Sequence, residues 1–186
     1  GRNYISFIVE GTKKLDFIIK NILDQCRLEN ADFEKTDLSV NEVLEKVVKS
    51  LSFSVINAKI YKENLCNVYM NEIHLHQVLQ NLISNAIKYS KDGIIPEINV
   101  FMQDNEKDTV ICVQDNGIGI SEENKEKLFE IFKRIKTGKE GSGIGLALCK
   151  KIIDLYGGKI WIESELGIGS TFCISIPKKI WKKYYS

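Results

Sequence analysis

The chain has 186 residues, with 26 lysines and arginines against 25 aspartates and glutamates, so its formal net charge is +1. That balance disfavours a surface that binds nucleic acid, because such surfaces carry a marked excess of positive charge. No apolar run approaches the roughly 18 residues of a membrane-spanning helix, and the first residues lack the order of a secretion signal. We therefore expect a soluble, cytoplasmic segment, and whether the whole protein is membrane-anchored stays open.

The five cysteines give no sign of a shared site. They stand at wide, irregular spacings, without a Cys-x-x-Cys pair and with only two histidines in the chain. We therefore expect neither a disulfide framework nor a structural zinc site. The prediction is that the cysteines act as small hydrophobic residues in a reducing compartment.

The first predicted element is one long helix over residues 3–30. Seven residues, six of them apolar, step alternately by three and four: Ile5, Ile8, Thr12, Leu15, Ile19, Ile22 and Cys26. A narrow apolar stripe of that length favours pairing with other helices in a bundle or coiled coil. A helix packed on its own domain is the alternative.

From about residue 37 the pattern is that of a mixed α/β unit. Ser39 and Glu42 form a capping box at the start of a helix. The later predicted elements are strands near 58–62 and 66–70, a helix at 72–90, strands at 98–102 and 110–114, a helix at 143–156, and strands at 159–163 and 170–176. The last four strands form two antiparallel hairpins. This order predicts an α+β fold in which helices cover one face of a mixed sheet.

Three polar residues share one face of the predicted 72–90 helix. Asn81, Asn85 and Lys88 are spaced four and three apart, which stacks them on successive turns. Asparagine is a mediocre helix former, so two stacked amides with a lysine beyond them suggest ligands for a hard cation and a phosphate. A face exposed to solvent is the alternative.

Two glycine-rich segments follow this helix. In residues 115–119 a carboxylate at a strand end precedes two glycines that let the backbone approach a flat ligand, although a turn explains the pattern equally well. Residues 141–146 open a helix whose first amides can bind an anion. Neither segment has the Walker or the dinucleotide-binding spacing.

Taken together, five segments resemble the motif boxes of sensor histidine kinases. In chain order, residues 81–89, 115–119, 129–134, 141–146 and 169–172 are similar to the N, first glycine, phenylalanine, second glycine and final Gly-Ser/Thr boxes. The resemblance covers residues 37–177. It implies the Bergerat ATP-binding fold, a two-layer α/β sandwich in which ATP lies between the asparagine helix and a lid at residues 134–142.

The resemblance also implies roles for individual residues. Asp115 would accept the adenine amino group, Thr171 would support the base through water, and Asn85 would bind Mg²⁺. The implied catalytic residues, which face the phosphates, are Asn81, Lys88 and Arg134. The other implied ATP ligands are Tyr89, Gly117, Gly119, Ile120, Gly141, Gly143, Gly145 and Leu146.

Position 81 bears on the reaction. The related gyrase, chaperone and mismatch-repair ATPases carry glutamate there, whereas this chain carries Asn81, whose amide cannot take a proton from water. Hydrolysis is therefore disfavoured, and the resemblance implies transfer of phosphate to a histidine on the first helix of a dimerisation hairpin.

That acceptor histidine is not expected within this chain. His74 and His76 lack the acidic neighbour and the downstream proline of the acceptor motif, so we expect surface or capping roles for His74. Residues 1–31 resemble the second helix of the hairpin, residues 35–178 the ATP-binding domain, and residues 179–186 form a tail.

The resulting functional expectation has two parts. The chain should bind ATP and Mg²⁺ without phosphorylating itself, and the whole protein should be a homodimeric kinase that passes phosphate to a response-regulator receiver domain. The alternative is a nucleotide-binding regulatory or partner module without autokinase activity.

Overall fold

A computed structural model of the chain describes residues 34–51, 57–104, 106–130 and 143–178. In chain order the helices are α1 (Val40–Ser50), α2 (Glu72–Lys88), α3 (Glu122–Lys125) and α4 (Gly145–Leu155), with a 3-10 turn at Glu126–Phe129. The strands are β1 (Thr36–Ser39), β2 (Lys59–Glu63), β3 (Asn67–Met70), β4 (Glu97–Asp104), β5 (Asp108–Asp115), β6 (Lys159–Glu165) and β7 (Gly169–Pro177). The predicted helix at 3–30, the lid at 134–142 and the tail at 179–186 lie outside the described residues.

Five of the strands form one mixed sheet in the order β2-β4-β5-β7-β6. Strand β2 is parallel to β4, and all other neighbours are antiparallel. Both predicted hairpins, β4 with β5 and β6 with β7, are therefore correct. A separate two-stranded sheet pairs β1 with β3. The predicted fold class, an α+β sandwich built on a mixed sheet, is confirmed.

The main core lies between helices α1, α2 and α4 and one face of this sheet. The apolar face of α2 is buried at Leu75, Leu79, Leu82, Ile83 and Ala86. Each large apolar side chain removed from water in this way stabilises the fold by about 2 kcal/mol. The polar face of α2 is thereby turned away from the core.

The ends of α1 and α2 follow from their capping residues. Ser39 Oγ accepts a hydrogen bond from the backbone N–H of Glu42 at 3.3 Å, as the capping box predicts. The side-chain oxygen of Asn71 accepts from the backbone N–H of Ile73 at 2.9 Å and of His74 at 3.4 Å. Helix α2 therefore begins at Glu72. No helix within the described ranges combines the length and the hydropathy needed to cross a bilayer.

The expectation that the cysteines stay unpaired is wrong for two of them. A disulfide joins Cys112 on β5 to Cys173 on β7. The register of these antiparallel strands sets the two residues opposite each other, with their Cα atoms 4.2 Å apart. Cysteines that face each other across neighbouring strands at that distance can form a disulfide. The sequence did not show that Cys112 and Cys173 are close, because 61 positions of the chain separate them. Cys66 and Cys149 are free thiols.

The expected surface or capping role of His74 is also wrong. The residue is only 2% exposed, and its Nδ1 lies 2.7 Å from the Tyr156 hydroxyl oxygen. That hydroxyl also accepts a hydrogen bond from the backbone N–H of Asn71 at 3.0 Å. Tyr156 follows the last residue of α4, so the packing of α4 on α2 covers the histidine and supplies its partner.

Candidate functional site

The candidate site has two ends, and helix α2 connects them. The amide end consists of Asn81, Asn85 and Lys88 on α2 together with Gly145 at the start of α4. The carboxylate end consists of Asp115, Gly117, Gly119 and Ser170, and it lies beside Tyr89 at the end of α2. The sequence-predicted residues of these two ends come from segments up to 64 positions apart in the chain.

Contacts with α2 bring these segments together. A Cβ atom added at Gly145 would lie 2.9 Å from Asn81 Oδ1, so the start of α4 touches the middle of α2. A Cβ atom added at Gly117 would lie 2.6 Å from the Tyr89 carbonyl oxygen. That same oxygen accepts a hydrogen bond from the backbone N–H of Ile118 at 3.0 Å. Glycine is therefore required at position 117, where the neighbour is backbone, whereas at position 145 the nearest atom is the end of the Asn81 side chain.

Asp115 is a partly buried carboxylate at the last position of β5. Its Oδ1 accepts a hydrogen bond from the backbone N–H of Gly117 at 2.8 Å. Burial raises the pKa of Asp115 above its usual value, and this rise is opposed by the backbone hydrogen bonds of Gly117 and Ser170 and by the charge of Lys91. A carboxylate held in this way is suited to accept an N–H group of a ligand.

Gly119 closes the loop at the carboxylate end. Its φ of +68° lies in the left-handed region, and an added Cβ would collide with the Glu165 carbonyl oxygen. The neighbouring Ile118 carbonyl accepts a hydrogen bond from the backbone N–H of Gly167 at 2.8 Å. The loop is thereby tied to the turn between β6 and β7.

The register does not place Thr171 beside Asp115, so the structure contradicts this part of the expectation. Asp115 pairs with Ser170, whereas Thr171 pairs with Gln114. Paired residues of antiparallel strands project to the same side, and consecutive residues alternate. Ser170 therefore shares the face of Asp115, and Thr171 shares the opposite face with exposed Gln114.

Ser170 is the site residue that the sequence analysis missed. Its hydroxyl lies 2.9 Å from that of Ser164, which in turn donates to the Gly169 carbonyl at 2.8 Å. The alternation of β7 could have identified it. Phe172, Ile174 and Ile176 are buried in the core, and every second residue of a strand faces the same side, so Ser170 is the next residue toward the N-terminus on that face.

Lys91 is a second residue that the sequence analysis missed. Its Nζ donates a hydrogen bond to the Ile168 carbonyl at 3.1 Å, so it connects the segment after α2 to the turn between β6 and β7. Its charge acts on Asp115, whose pKa it lowers. A single lysine after a helix carries no sequence pattern that distinguishes it from a surface residue.

The amide end combines amide groups with positive charge. Asn81, Asn85 and Lys88 are all half-buried on one face of α2, and Lys88 Nζ lies 4.8 Å from the centre of the Tyr89 ring. Helix α4 begins at Gly145 after Ile144, whose apolar side chain cannot cap it. The first amides of a helix have no partner within the helix, and together with its dipole they attract anions.

The other predicted residues are placed as follows. Ile120 and Leu146 pack against the main core. Gly143 precedes α4 with a φ of +70°. Arg134 and Gly141 lie outside the described residues.

A cation at the amide end would have few protein ligands. In the described ranges no three His, Cys, Asp or Glu residues are grouped so that they could hold a metal ion. The Asn85 side chain is half-buried and forms no hydrogen bond within the part of the chain that the structure describes, so its oxygen is available as a ligand. Mg²⁺ is commonly held by one or two protein oxygens plus substrate phosphates and waters, and this donor set fits that pattern.

Comparisons with known proteins point to one family. Residues 70–180 match the family of histidine kinase-, DNA gyrase B-, and HSP90-like ATPases. The chain is similar to the phytochrome-like protein Cph1 of Synechocystis sp., with 39% identity over 95% of this chain and 24% of that protein. It is also similar to the methanogenesis regulatory histidine kinase FilI of Methanothrix harundinacea, with 33% identity over 93% of this chain and 20% of that protein. The chain thus spans about a quarter of the length of these relatives.

Solved structures agree with these sequence comparisons. The catalytic domain of the histidine kinase ThkA superposes with a TM-score of 0.67 at 33% identity, covering 78% of this chain and 99% of that domain. Full-length ShkA, determined in complex with AMPPNP, superposes with a TM-score of 0.76 over 95% of this chain and 38% of that one. At 23% identity the second match shows the fold alone.

Proposed function

The chain belongs to the family of histidine kinase-, DNA gyrase B-, and HSP90-like ATPases, as a catalytic domain of the histidine kinase type, and on that premise we propose a specific ATP site and phosphate acceptor. ATP binds along α2 with its adenine at the carboxylate end and its phosphates at the amide end. The γ-phosphate passes to a histidine in another part of the whole protein.

The carboxylate end supports the selection of adenine. Asp115 accepts hydrogen bonds from backbone donors and keeps acceptor capacity for the adenine amino group. Guanine presents a carbonyl oxygen at that position, which would set two acceptors against each other. Ser170, on the face of Asp115, replaces Thr171 in our proposal as the hydroxyl that supports the base.

The amide end supports phosphate binding with a cation. Asn85 would be the protein ligand of Mg²⁺, and Lys88 with the first amides of α4 would hold phosphate oxygens. Mg²⁺, when bound, would neutralise part of the negative charge of the phosphates. Phosphoryl transfer depends mainly on positioning and charge stabilisation, which this set of groups can provide. We assign Arg134 and Gly141 to the same end on the resemblance of their segments alone.

Asn81 favours transfer over hydrolysis. Its side chain touches Gly145 at the amide end, where a general base for water would have to act. A neutral amide cannot accept that proton, so the nucleophile must come from elsewhere. A histidine imidazole is a better nucleophile than water at neutral pH.

The whole protein supplies the partners in this proposal. From the resemblance of the sequence alone, we assign residues 1–31 to the second helix of a hairpin that carries the acceptor histidine and makes the homodimer, and residues 179–186 to a tail; both segments lie outside the described residues. Residues 35–178 are the proposed catalytic domain. The phosphate continues to an aspartate of a response-regulator receiver domain in the cytoplasm. In the described residues and in the comparisons, no observation favours the alternative of a non-catalytic module.

The observation that carries the proposal is that two separate segments pack against α2: the Asp115–Gly117 segment at Tyr89, where the helix ends, and the start of α4 at Asn81, in the middle of the helix. Isothermal titration calorimetry of the chain with ATP and GTP, each with Mg²⁺, tests it. We expect binding of ATP, weaker binding of GTP, and loss of ATP binding in Asp115→Ala. An absence of heat with ATP would refute the site, and equal affinities for ATP and GTP would refute the adenine assignment.

Transfer is tested separately with radiolabelled ATP and a supplied acceptor hairpin from the whole protein. We expect label on the hairpin histidine, no label on the isolated chain, and loss of transfer in Asn85→Ala. Equal labelling by Asn85→Ala and the unmodified chain would contradict the assigned role in Mg²⁺ binding.

A further inference from the structure

Ser164 is a partly buried serine on β6 to which the proposed function gives no role. It is directly opposite Ser170 on β7, and Ser170 is directly opposite Asp115 on β5. Paired residues of antiparallel strands project to the same side of a sheet, so the three side chains form one row across three strands. The row ends at the carboxylate that we assign to the adenine amino group.

The Ser164 hydroxyl uses its whole capacity for hydrogen bonds. A serine hydroxyl has one hydrogen to donate and two lone pairs that accept. Ser164 Oγ accepts from the backbone N–H of Ile120 at 2.9 Å and donates to the Gly169 carbonyl oxygen, which can only accept, at 2.8 Å. Its third neighbour is Ser170 Oγ at 2.9 Å. Only one lone pair of Ser164 is left for this contact.

The direction of the hydrogen bond between the two serines follows from this count. Ser164 has already given its hydrogen to Gly169, so Ser170 is the donor and Ser164 is the acceptor. The Ser170 oxygen then has two lone pairs and no hydrogen to offer a ligand. Within the described ranges no further hydrogen bond reaches this oxygen. Ser170 therefore faces the candidate site as an acceptor.

The fixed direction of this hydroxyl bears on the choice between nucleobases. A serine hydroxyl that can rotate adapts to its ligand, because it can donate to a carbonyl or accept from an amino group. With its hydrogen held by Ser164, Ser170 can only accept. Asp115 is also an acceptor, so a carbonyl oxygen of a base at this place would meet two acceptors. A water between Asp115 and Ser170 would donate to both and present only lone pairs to the base, so the preference is the same.

We propose that Ser164 is a positioning residue that takes the hydrogen of Ser170 and so makes Asp115 and Ser170 a pair of acceptors. This inference rests on the proposed function and deepens it, because it names a residue that determines base specificity through another residue. The class of ligand that fits is a base with a primary amino group beside Asp115. A base with a carbonyl group in that place is rejected by Ser170 as well as by Asp115.

The test compares ATP with inosine triphosphate, which carries a carbonyl oxygen in place of the adenine amino group. Isothermal titration calorimetry with Mg²⁺ gives the ratio of the two affinities for each chain. In Ser164→Ala the Ser170 hydroxyl can rotate and donate to the carbonyl. We therefore expect the preference for ATP to fall by about fivefold, the change that corresponds to one neutral hydrogen bond. Ser164→Thr retains the hydroxyl and should keep the preference of the unmodified chain.

Further variants separate positioning from support of the loop. Loss of the bond to Ile120 alone would weaken the binding of both nucleotides and leave their ratio unchanged. In a Ser170→Ala background, Ser164→Ala should not change the ratio, because the hydroxyl that it positions is absent. Ser175→Ala is the matched control. Ser175 is also a β7 serine that bonds β6, accepting from the backbone N–H of Lys159 at 3.0 Å, but it lies on the other face of the sheet and should not affect the ratio.

Two outcomes of these titrations would overturn the proposal. The first is an unchanged or increased preference for ATP in Ser164→Ala. The second is a decrease of that preference by the same factor in the Ser170→Ala background, which would show that Ser164 acts on the base by another route.

Neutron diffraction on the unmodified chain covers the case in which a variant does not fold, because it locates hydroxyl hydrogens as deuterium. We expect Ser170 to carry the deuterium between the two serine oxygens, and Ser164 to direct its own deuterium to the Gly169 carbonyl oxygen. Deuterium on Ser164 that points to Ser170 would overturn the proposal. A failure to bind ATP would instead refute the proposed function, and the deuterium positions would still decide the direction of the hydrogen bond.

Discussion

Asp115 and Ser170 are directly opposite each other at the ends of strands β5 and β7, and both project toward the helical layer. This pairing decides which hydroxyl of the Ser170-Thr171 dipeptide can support a ligand bound to Asp115. Thr171 lies one position further along and faces the other side of the sheet.

We predict that Ser170→Ala weakens ATP binding and that Thr171→Ala does not. Loss of one neutral hydrogen bond corresponds to about a fivefold change in affinity. The two variants remove similar groups from adjacent positions, so each is the control for the other. Isothermal titration calorimetry with ATP and Mg²⁺ measures the difference, and a larger effect at position 171 would contradict the register.

The charge of Lys91 should determine how ATP binding depends on pH. Burial raises the pKa of Asp115 and Lys91 lowers it, so removal of the ammonium in Lys91→Met should raise the pKa further. An ionised carboxylate accepts hydrogen bonds at both of its oxygens, whereas protonation turns one of them into a donor. Protonation of Asp115 should therefore weaken its hydrogen bond with the adenine amino group. Affinity should therefore fall with decreasing pH in the unmodified chain and begin to fall at a higher pH in Lys91→Met.

Lys91→Arg keeps the charge and is the matched control for this experiment. Its affinity should follow the pH profile of the unmodified chain. The affinity of all three chains is measured from about pH 4 to about pH 8, a range that begins at the ordinary pKa of aspartate and extends above it because burial raises the pKa of Asp115. Coincident profiles for the methionine and arginine variants would exclude an electrostatic role.

The burial of His74 should make the fold sensitive to acid. Burial, and then the charge of Lys35, lowers the pKa of His74 below 6.5 in the folded state. Protonation is therefore easier in the unfolded chain, and stability that is fully present above pH 6.5 is lost as the pH falls toward the folded-state pKa. Urea unfolding at several pH values should show a decrease in the free energy of unfolding on the acid side.

Two substitutions separate the contributions of this pair. His74→Phe should remove the part of the pH dependence that comes from the histidine. Tyr156→Phe removes the hydroxyl that contacts Asn71 and His74, and leaving buried polar groups unpaired costs about 1–3 kcal/mol. An unchanged acid transition in His74→Phe would show that other groups cause it.

The disulfide between Cys112 and Cys173 should contribute to stability under oxidising conditions. The bond spans 61 positions of the chain, so it restricts the unfolded state strongly. Reduction should lower the free energy of unfolding by about 2–4 kcal/mol, measured by urea unfolding with and without a reducing agent. A chain with both cysteines replaced by alanine should not respond to the reducing agent, and a free thiol content unchanged by reduction would contradict the bond.

Much of the fold was predictable because its signals are local. The three-and-four spacing of Leu75, Leu79 and Leu82 identifies α2, and the alternation around Ile111 and Ile174 identifies the hairpin strands. The asparagines at 81 and 85 could be placed on one face of that helix from spacing alone. The helix that carries these asparagines is therefore the one that the sequence predicts, and the role of the predicted site residues stays a prediction.

The errors concern contacts between elements. His74 was assigned to the surface because nothing near it in the chain shows that Tyr156 covers it. Lys91 was overlooked because its partner, the Ile168 carbonyl, belongs to a turn that only the closed sheet brings near.

By itself, the sequence determined the order and type of the elements and the identity of the groups at the site, because periodicity, capping and glycine chemistry act over a few residues. Only the tertiary structure decided that Ser170 rather than Thr171 faces Asp115, and that Cys112 meets Cys173. These relationships depend on strand register and helix packing, in which a shift of one residue turns a side chain to the opposite face. Register and packing are set by the apolar surface that the whole core buries, so no short segment of the sequence determines them.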